Sequence, residues 1–270
     1  MAGYNLFKPN IYIGIDQTGA LQSNGSVKAL PCSIIRKTRS GLDATVNISL
    51  KNLDLESVSE FINYKDLHRT LIIVDSVLGI PYRHTTNKPL RTLFKEASKF
   101  KFDNKSFGAQ TAHKFFNTIV RNQKFQGIPT RQAETIANAN SIFRLKPFQR
   151  NIGCGTFRIW KNLSADQNWY SLWPAEKYVQ NTCTIAEGYP SLLWKTFIRS
   201  KRGEHSTLID FAKKNNCKIK FSNTFRNFKS TDDMDSFVLA LFAALNTHLI
   251  YKINSLPSVI SKEGWIFGLQ

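Results

Sequence analysis

The chain has 270 residues, with 37 Lys or Arg against 19 Asp or Glu, a formal net charge of +18 and a pI near 9.9. Hydrophobic residues make up 42% and charged residues 21%, which excludes a wholly disordered chain. The length suffices for a sizeable core, and no apolar run approaches the roughly 20 residues of a membrane span.

Ile11 to Asp16 is a short apolar run, predicted as a strand ending in Asp. Gln17-Thr18-Gly19 reads as a turn. Leu30 to Lys37 and Ala44 to Leu50 are β-branched, partly alternating runs parted by a Ser40-Gly41 turn. Leu55 to Tyr64 has helical spacing through Leu55, Val58, Phe61 and Ile62. Leu71 to Asp75 is a buried-type strand, again ending in Asp. Short connections make the first three strands an antiparallel meander. The helical crossover then predicts a fourth strand parallel to an inner one.

The middle, from Pro89 to about Arg144, is helical in tendency, with apolar spacing over Phe94 to Phe100 and Gln110 to Gln123. Gly153-Cys154-Gly155 reads as a tight turn, and Thr156 to Trp160 as a further strand. Thr182 to Glu187 is a strand ending in Glu. Leu192 to Ile198 and Thr207 to Lys214 read as helices, and Lys218 to Phe221 as a short strand. Asp232 to Tyr251 is the clearest helix, with Met234, Phe237, Val238, Leu241, Phe242 and Leu245 on one stripe and Ser230 or Thr231 as N-cap. The order predicts one α/β domain over residues 1–270, a mixed sheet flanked by helices, with a basic helical insertion or lid at about 84–155. The four cysteines, Cys32, Cys154, Cys183 and Cys217, form no CxxC pair and read as reduced, mostly buried thiols of a cytoplasmic protein. Met1 to Asn10 lacks the pattern of a secretory signal.

Between Arg83 and Lys161 there are sixteen Lys or Arg and only three acids, an excess of thirteen, interleaved with phenylalanines. Such a concentration attracts a polyanion, and phosphate contacts release counterions. Arg83, Lys88, Arg91, Lys114, Arg121, Lys124 and Arg131 are the candidate contacts to DNA or RNA. The phenylalanines themselves read as core.

Acids are scarce, so their placement is informative. Asp16, Asp75 and Glu187 each end a predicted strand. Parallel strands bring those ends together, where α/β sites form. Asp232 and Asp235 are three apart on one helix face. Each acid alone also fits a simpler role: Asp16 and Asp75 as turn starters, Glu187 as a solvated strand end, Asp232 with Asp233 as macrodipole partners. Together they predict a carboxylate cluster for Mg²⁺ or Mn²⁺. Two such ions can activate a water and stabilise the leaving oxygen of a phosphodiester.

The chain resembles the RNase H-like nucleases grouped as domain of unknown function 429, over about Ile11 to Gly268. The carriers are Gly14-Ile-Asp16, Val74-Asp75-Ser-Val-Leu-Gly79-Ile-Pro81, Glu187-Gly-Tyr189-Pro190, Asp232-Asp-Met-Asp235-Ser and Glu263-Gly264-Trp265-Ile266. Val77 stands where the family pattern has Pro. The resemblance implies an RNase H-like mixed sheet and a metal site from Asp16, Asp75 or Glu187, with Asp232 and Asp235. Glu263 reads as a cap of the terminal segment. The expected activity is divalent-metal-dependent nuclease, with Asp16, Asp75, Glu187 and Asp235 catalytic. One alternative is a non-catalytic nucleic-acid-binding protein on the same fold. Another is an actin-like phosphotransferase, suggested by Asp16-Gln17-Thr18-Gly19. Nucleophile-elbow, HExxH and Walker A patterns are absent.

Overall fold

The computed structural model describes residues 7–17, 26–81, 88–119, 130–139, 141–142, 151–222, 225–256 and 263–269. Seven strands form one mixed sheet in the order β5-β6-β4-β1-β2-β3-β7. They are β1 (Ile11–Ile15), β2 (Leu30–Thr38), β3 (Gly41–Leu50), β4 (Thr70–Val74), β5 (Tyr170–Trp173), β6 (Cys183–Glu187) and β7 (Cys217–Phe221). β1, β2 and β3 form the expected antiparallel meander. β4 pairs parallel with β1, and β6 parallel with β4. β5 and β7 extend the two edges by parallel pairing. β5 was not among the predicted strands.

The helices are α1 (Leu55–Ser59), α2 (Leu90–Lys99), α3 (Ala109–Ile119), α4 (Gln132–Ala137), α5 (Asn151–Ala165), α6 (Pro190–Leu193), α7 (His205–Lys214) and α8 (Thr231–Leu245). Strand alternation sorts the core into two layers. Ile11, Ile13 and Ile15 of β1, with Ile72 and Val74 of β4, pack against Phe94, Phe115, Phe116, Phe157 and Trp160 of α2, α3 and α5. Tyr12, Leu71 and Ile73 face the other way, against Phe237, Val238 and Leu241 of α8. Burying each such large side chain contributes roughly 1.5–3 kcal/mol. Of the phenylalanines of the basic middle segment, Phe94, Phe115, Phe116 and Phe157 are core and Phe100, Phe102 and Phe107 partly buried, while Phe125, Phe143 and Phe148 lie outside the described residues. The four cysteines are buried, and none is in a disulfide among the described residues.

Two expectations fail at one place. Gly153 to Trp160 is neither a turn nor a strand but the body of α5. Cys154, Phe157, Trp160 and Leu163 recur every three residues and are all buried. The two glycines and the β-branched Thr156 and Ile159 hide that period in the sequence. The predicted helix over Asp232 to Tyr251 also stops early. α8 ends at Leu245, and a 3-10 turn over Thr247–Ser255 follows with a bend of 71°. Asn246 Nδ2 donates to Phe242 O and Thr247 Oγ1 to Ala243 O, so side chains help satisfy the carbonyls of the last turn. Among the described residues, no single helix is long and apolar enough to cross a membrane.

Two glycines set how closely the layers approach the end of β1. A Cβ on Gly14 would lie 1.9 Å from Ser236 O of α8. A Cβ on Gly155 of α5 would lie 2.0 Å from Gln17 Oε1. Helix α8 thus rests directly on the strand that carries Asp16. Gly14→Ala is expected to cost about 3 kcal/mol or more by overpacking, read as a fall in melting temperature. An unchanged melting temperature would contradict the close approach.

Candidate metal centre

The parallel ladder runs past the strand ends and fixes the acids. Asp16 N–H donates to Pro31 O at 3.0 Å, and Asp75 N–H to Ile15 O at 2.9 Å. The register pairs Ile15 with Val74, so Asp16 and Asp75 follow side by side. α8 points its first turn at the same edge. Its N-cap Ser230 accepts from Asp233 N–H at 3.1 Å and donates to Asp233 Oδ2 at 2.7 Å. Asp233 is thereby the capping acid, while Asp232 and Asp235 turn toward the sheet. One oxygen each of Asp16, Asp232 and Asp235 lie within 4.8 Å of one another. Asp75 shares a hydrogen bond with Asp16.

The four differ in surroundings. Asp16 is 3% exposed, and its Oδ1 has no hydrogen-bond partner among the described residues. Asp235 is fully buried. Its Oδ1 accepts from the Trp194 indole N–H at 2.6 Å, and its Oδ2 from Arg202 Nε at 2.7 Å and from Arg202 Nη2. Asp75 is partly buried and Asp232 is exposed. Burial pushes Asp16 well above the ordinary carboxylate range, and the charges of Asp75, Asp235 and Asp232 add to this. Asp75 is raised as well, chiefly by burial, with its hydrogen bond to Asp16 acting the other way. Burial and mutual repulsion thus oppose ionising both carboxyls together. Burial also raises Asp235, against the pull of Arg202.

Asp16, Asp75 and Asp232 line a cleft of about 560 Å³ with Gln17, Lys28, Ser76, Tyr189 and Arg202, and Asp235 lies behind it against Arg202. Among the described residues Gln17 Oε1 and Ser76 Oγ are also buried without a hydrogen-bond partner, like Asp16 Oδ1. Unpaired buried acceptors cost free energy unless a ligand meets them. Oxygen donors of this kind, close together, suit a hard divalent cation. The residues therefore fit such an ion.

Glu187 lines the cleft but does not join the cluster. It pairs in register with Val74, one residue behind Asp75, so strand alternation turns it to the other face. There Arg131 clamps it, Nη2 to Oε1 at 2.5 Å and Nη1 to Oε2 at 2.7 Å, while Leu78 N–H donates to Oε2 at 2.9 Å. The sequence reading of Arg131 as a phosphate contact is thus corrected. Its side chain is fully buried and also bonds Glu134 Oε1 and Glu263 O. Burial disfavours its charge, and Glu187 and Glu134 more than offset that. Glu263, read as a cap of the terminal segment, instead meets the start of α4: its Oε2 accepts from Gln132 N–H at 2.7 Å.

The other expected phosphate contacts are mostly engaged. Arg91 pairs with Glu176 and donates to Tyr170 O at 2.9 Å, tying α2 to the β5 edge. Lys88 pairs with Glu96 at 2.5 Å, and Lys114 lies over the Phe102 ring at 5.1 Å. Both lysines are exposed. Arg83, Arg121 and Lys124 lie outside the described residues. Sequence reasoning missed Trp194, Arg202 and Glu134. The only signal was Arg202 within a short basic stretch, Lys201-Arg202, before α7. Trp194 opens a π-helical turn, Trp194–Ile198, an irregularity often found at functional sites.

Comparison of the chain with protein-family profiles, with curated proteins and with solved structures finds no match.

Proposed function

We propose that the protein is a divalent-cation-dependent nuclease that hydrolyses phosphodiester bonds of DNA or RNA on an RNase H-like fold. The observation that carries this reading is the buried, unpartnered Asp16 Oδ1 beside Asp75, Asp232 and Asp235, in a cleft of a chain with net charge +18. The sheet order, a meander continued by parallel β4 and β6, is compatible with that fold. Asp16, Asp232 and Asp235 would hold Mg²⁺ or Mn²⁺, with Asp75 beside Asp16. The ion, when bound, supplies Lewis-acid stabilisation and an activated water for hydrolysis. The chain's own residues do the rest. Asp16, which burial favours in its protonated form, would give up its proton to become a ligand. Trp194 and Arg202 hold Asp235 in place. Exposed Lys28 and the half-exposed Arg202 offer positive charge to a phosphate at the cleft.

The test is cleavage of labelled single- and double-stranded DNA and RNA with Mg²⁺ or Mn²⁺. Metal-dependent cleavage supports the reading and names the substrate. A second reading, a nucleic-acid-binding protein without chemistry, draws on the arginine clamps that fill Asp235 and Glu187. It predicts salt-sensitive binding that is indifferent to metal.

The raised Asp16 adds a prediction about pH. Because the fold prefers the protonated acid, the cation-free protein loses stability as pH rises from the ordinary carboxylate value toward the raised one. A cation replaces that proton. The rise in melting temperature on adding Mn²⁺ is therefore expected to grow from about pH 6 to about pH 8, with apparent affinity gaining up to about tenfold per pH unit for each proton displaced. A cation effect independent of pH would exclude proton displacement from this pair.

A further inference from the structure

The acceptor positions of the centre are unequally free. A carboxylate offers about four lone-pair positions. Asp235 Oδ2 takes two guanidinium N–H groups of Arg202, and Oδ1 takes the indole of Trp194. One position on Oδ1 remains. Across the cleft, Glu187 takes Arg131 on both oxygens and Leu78 N–H on Oε2. Asp16, by contrast, is 97% buried, and its Oδ1 is unpartnered among the described residues.

We propose that this centre takes one divalent cation rather than two, and that the Arg202 guanidinium occupies the second cation's place against Asp235. The inference rests on the metal-dependent reading above. Charge favours it. Four ionised carboxylates against one guanidinium leave three negative charges, and a single divalent cation reduces them to one. A second cation would need Asp235 Oδ2 and would meet a fixed positive charge there. Arginine does not yield by deprotonation, and its forked, charge-assisted bonds to a buried carboxylate are strong. Arg202 also lines the cleft. The charge a second ion would place beside a phosphate is thus supplied by the chain itself.

The experiment counts Mn²⁺ ions per full-length chain, by the electron paramagnetic resonance signal of the free ion at mildly alkaline pH. The wild type is expected to bind one ion. Arg202→Met, which frees Asp235 Oδ2, is expected to bind two. The side chain of Arg202 is 46% exposed, so the change does not open the core. Should that variant melt early, Arg202→Gln, neutral but still a donor, carries the same expectation. Lys201→Met removes an exposed charge next door and is expected to keep one ion. Two ions in the wild type would overturn the proposal and leave the metal-dependent reading standing. No ion in the wild type would remove that reading and the proposal with it. One ion in the folded Arg202 variants, or an equal gain in Lys201→Met, would overturn the role given to Arg202.

Discussion

Asp16→Asn is expected to lower metal-dependent cleavage by about a thousandfold or more, in a chain that still folds. Among the described residues Asp16 supplies the one buried carboxylate oxygen of the cluster that has no other partner. An amide there cannot neutralise a cation, and its NH₂ group would donate toward Asp75. The same change removes a carboxyl group that burial and three neighbouring aspartates disfavour as an anion. The cation-free variant is therefore expected to be more stable than the wild type near neutral pH, by about 1–2 kcal/mol, as when a strained active site is relieved. Its melting temperature should no longer respond to Mn²⁺. Three readouts thus move together: cleavage lost, basal stability gained, cation response lost. Cleavage that survives the substitution would remove Asp16 from the reaction.

Arg131→Met is expected to be the most destabilising single change near the site. The Arg131 side chain is fully buried, and Glu134 and Glu187 beside it are nearly so. Removing the cation leaves two carboxylates facing one another without a partner. Breaking a buried charge pair in this way costs about 3–5 kcal/mol, a fall in melting temperature of roughly 10 °C for a chain of this size. Glu263 O loses its guanidinium donor as well. Adding Glu187→Gln to Arg131→Met should restore part of the loss, because one unpaired charge goes. No recovery in the double variant would mean that the Arg131–Glu187 pair is not the source of the effect. If Arg131 instead served only to hold phosphate, the single variant would keep its melting temperature.

Part of this arrangement was legible in the residues. A short apolar run ending in an acid marks both Asp16 and Asp75, and pairing β4 with β1 makes them neighbours. The spacing of Asp232 and Asp235 placed both on one helix face. The meander and the parallel fourth strand followed from connection lengths. The fate of Glu187 did not follow. It stands at a strand end as the other two do, but its register with Val74 gives it the opposite phase. Phase between neighbouring strands is a property of their pairing, and no single strand encodes it. Arg131 sat in a basic run and read as surface. Only the approach of α4 to the end of β6 showed that its charge is spent inside. Arg202 carries no motif, and its partner Asp235 is 33 residues away.

Residue type and period alone set which segments are apolar, which of them alternate, where charge accumulates and where the few acids fall. Those are local properties. The tertiary structure decided which acids share a cation-sized space and which are neutralised by arginine. It also decided which basic residues face outward, and that α5 is a helix. These depend on strand register, on close approach at Gly14 and Gly155, and on contacts between residues far apart in the chain. The free energy of burying a charge depends on what surrounds it, and that is set only when the layers close.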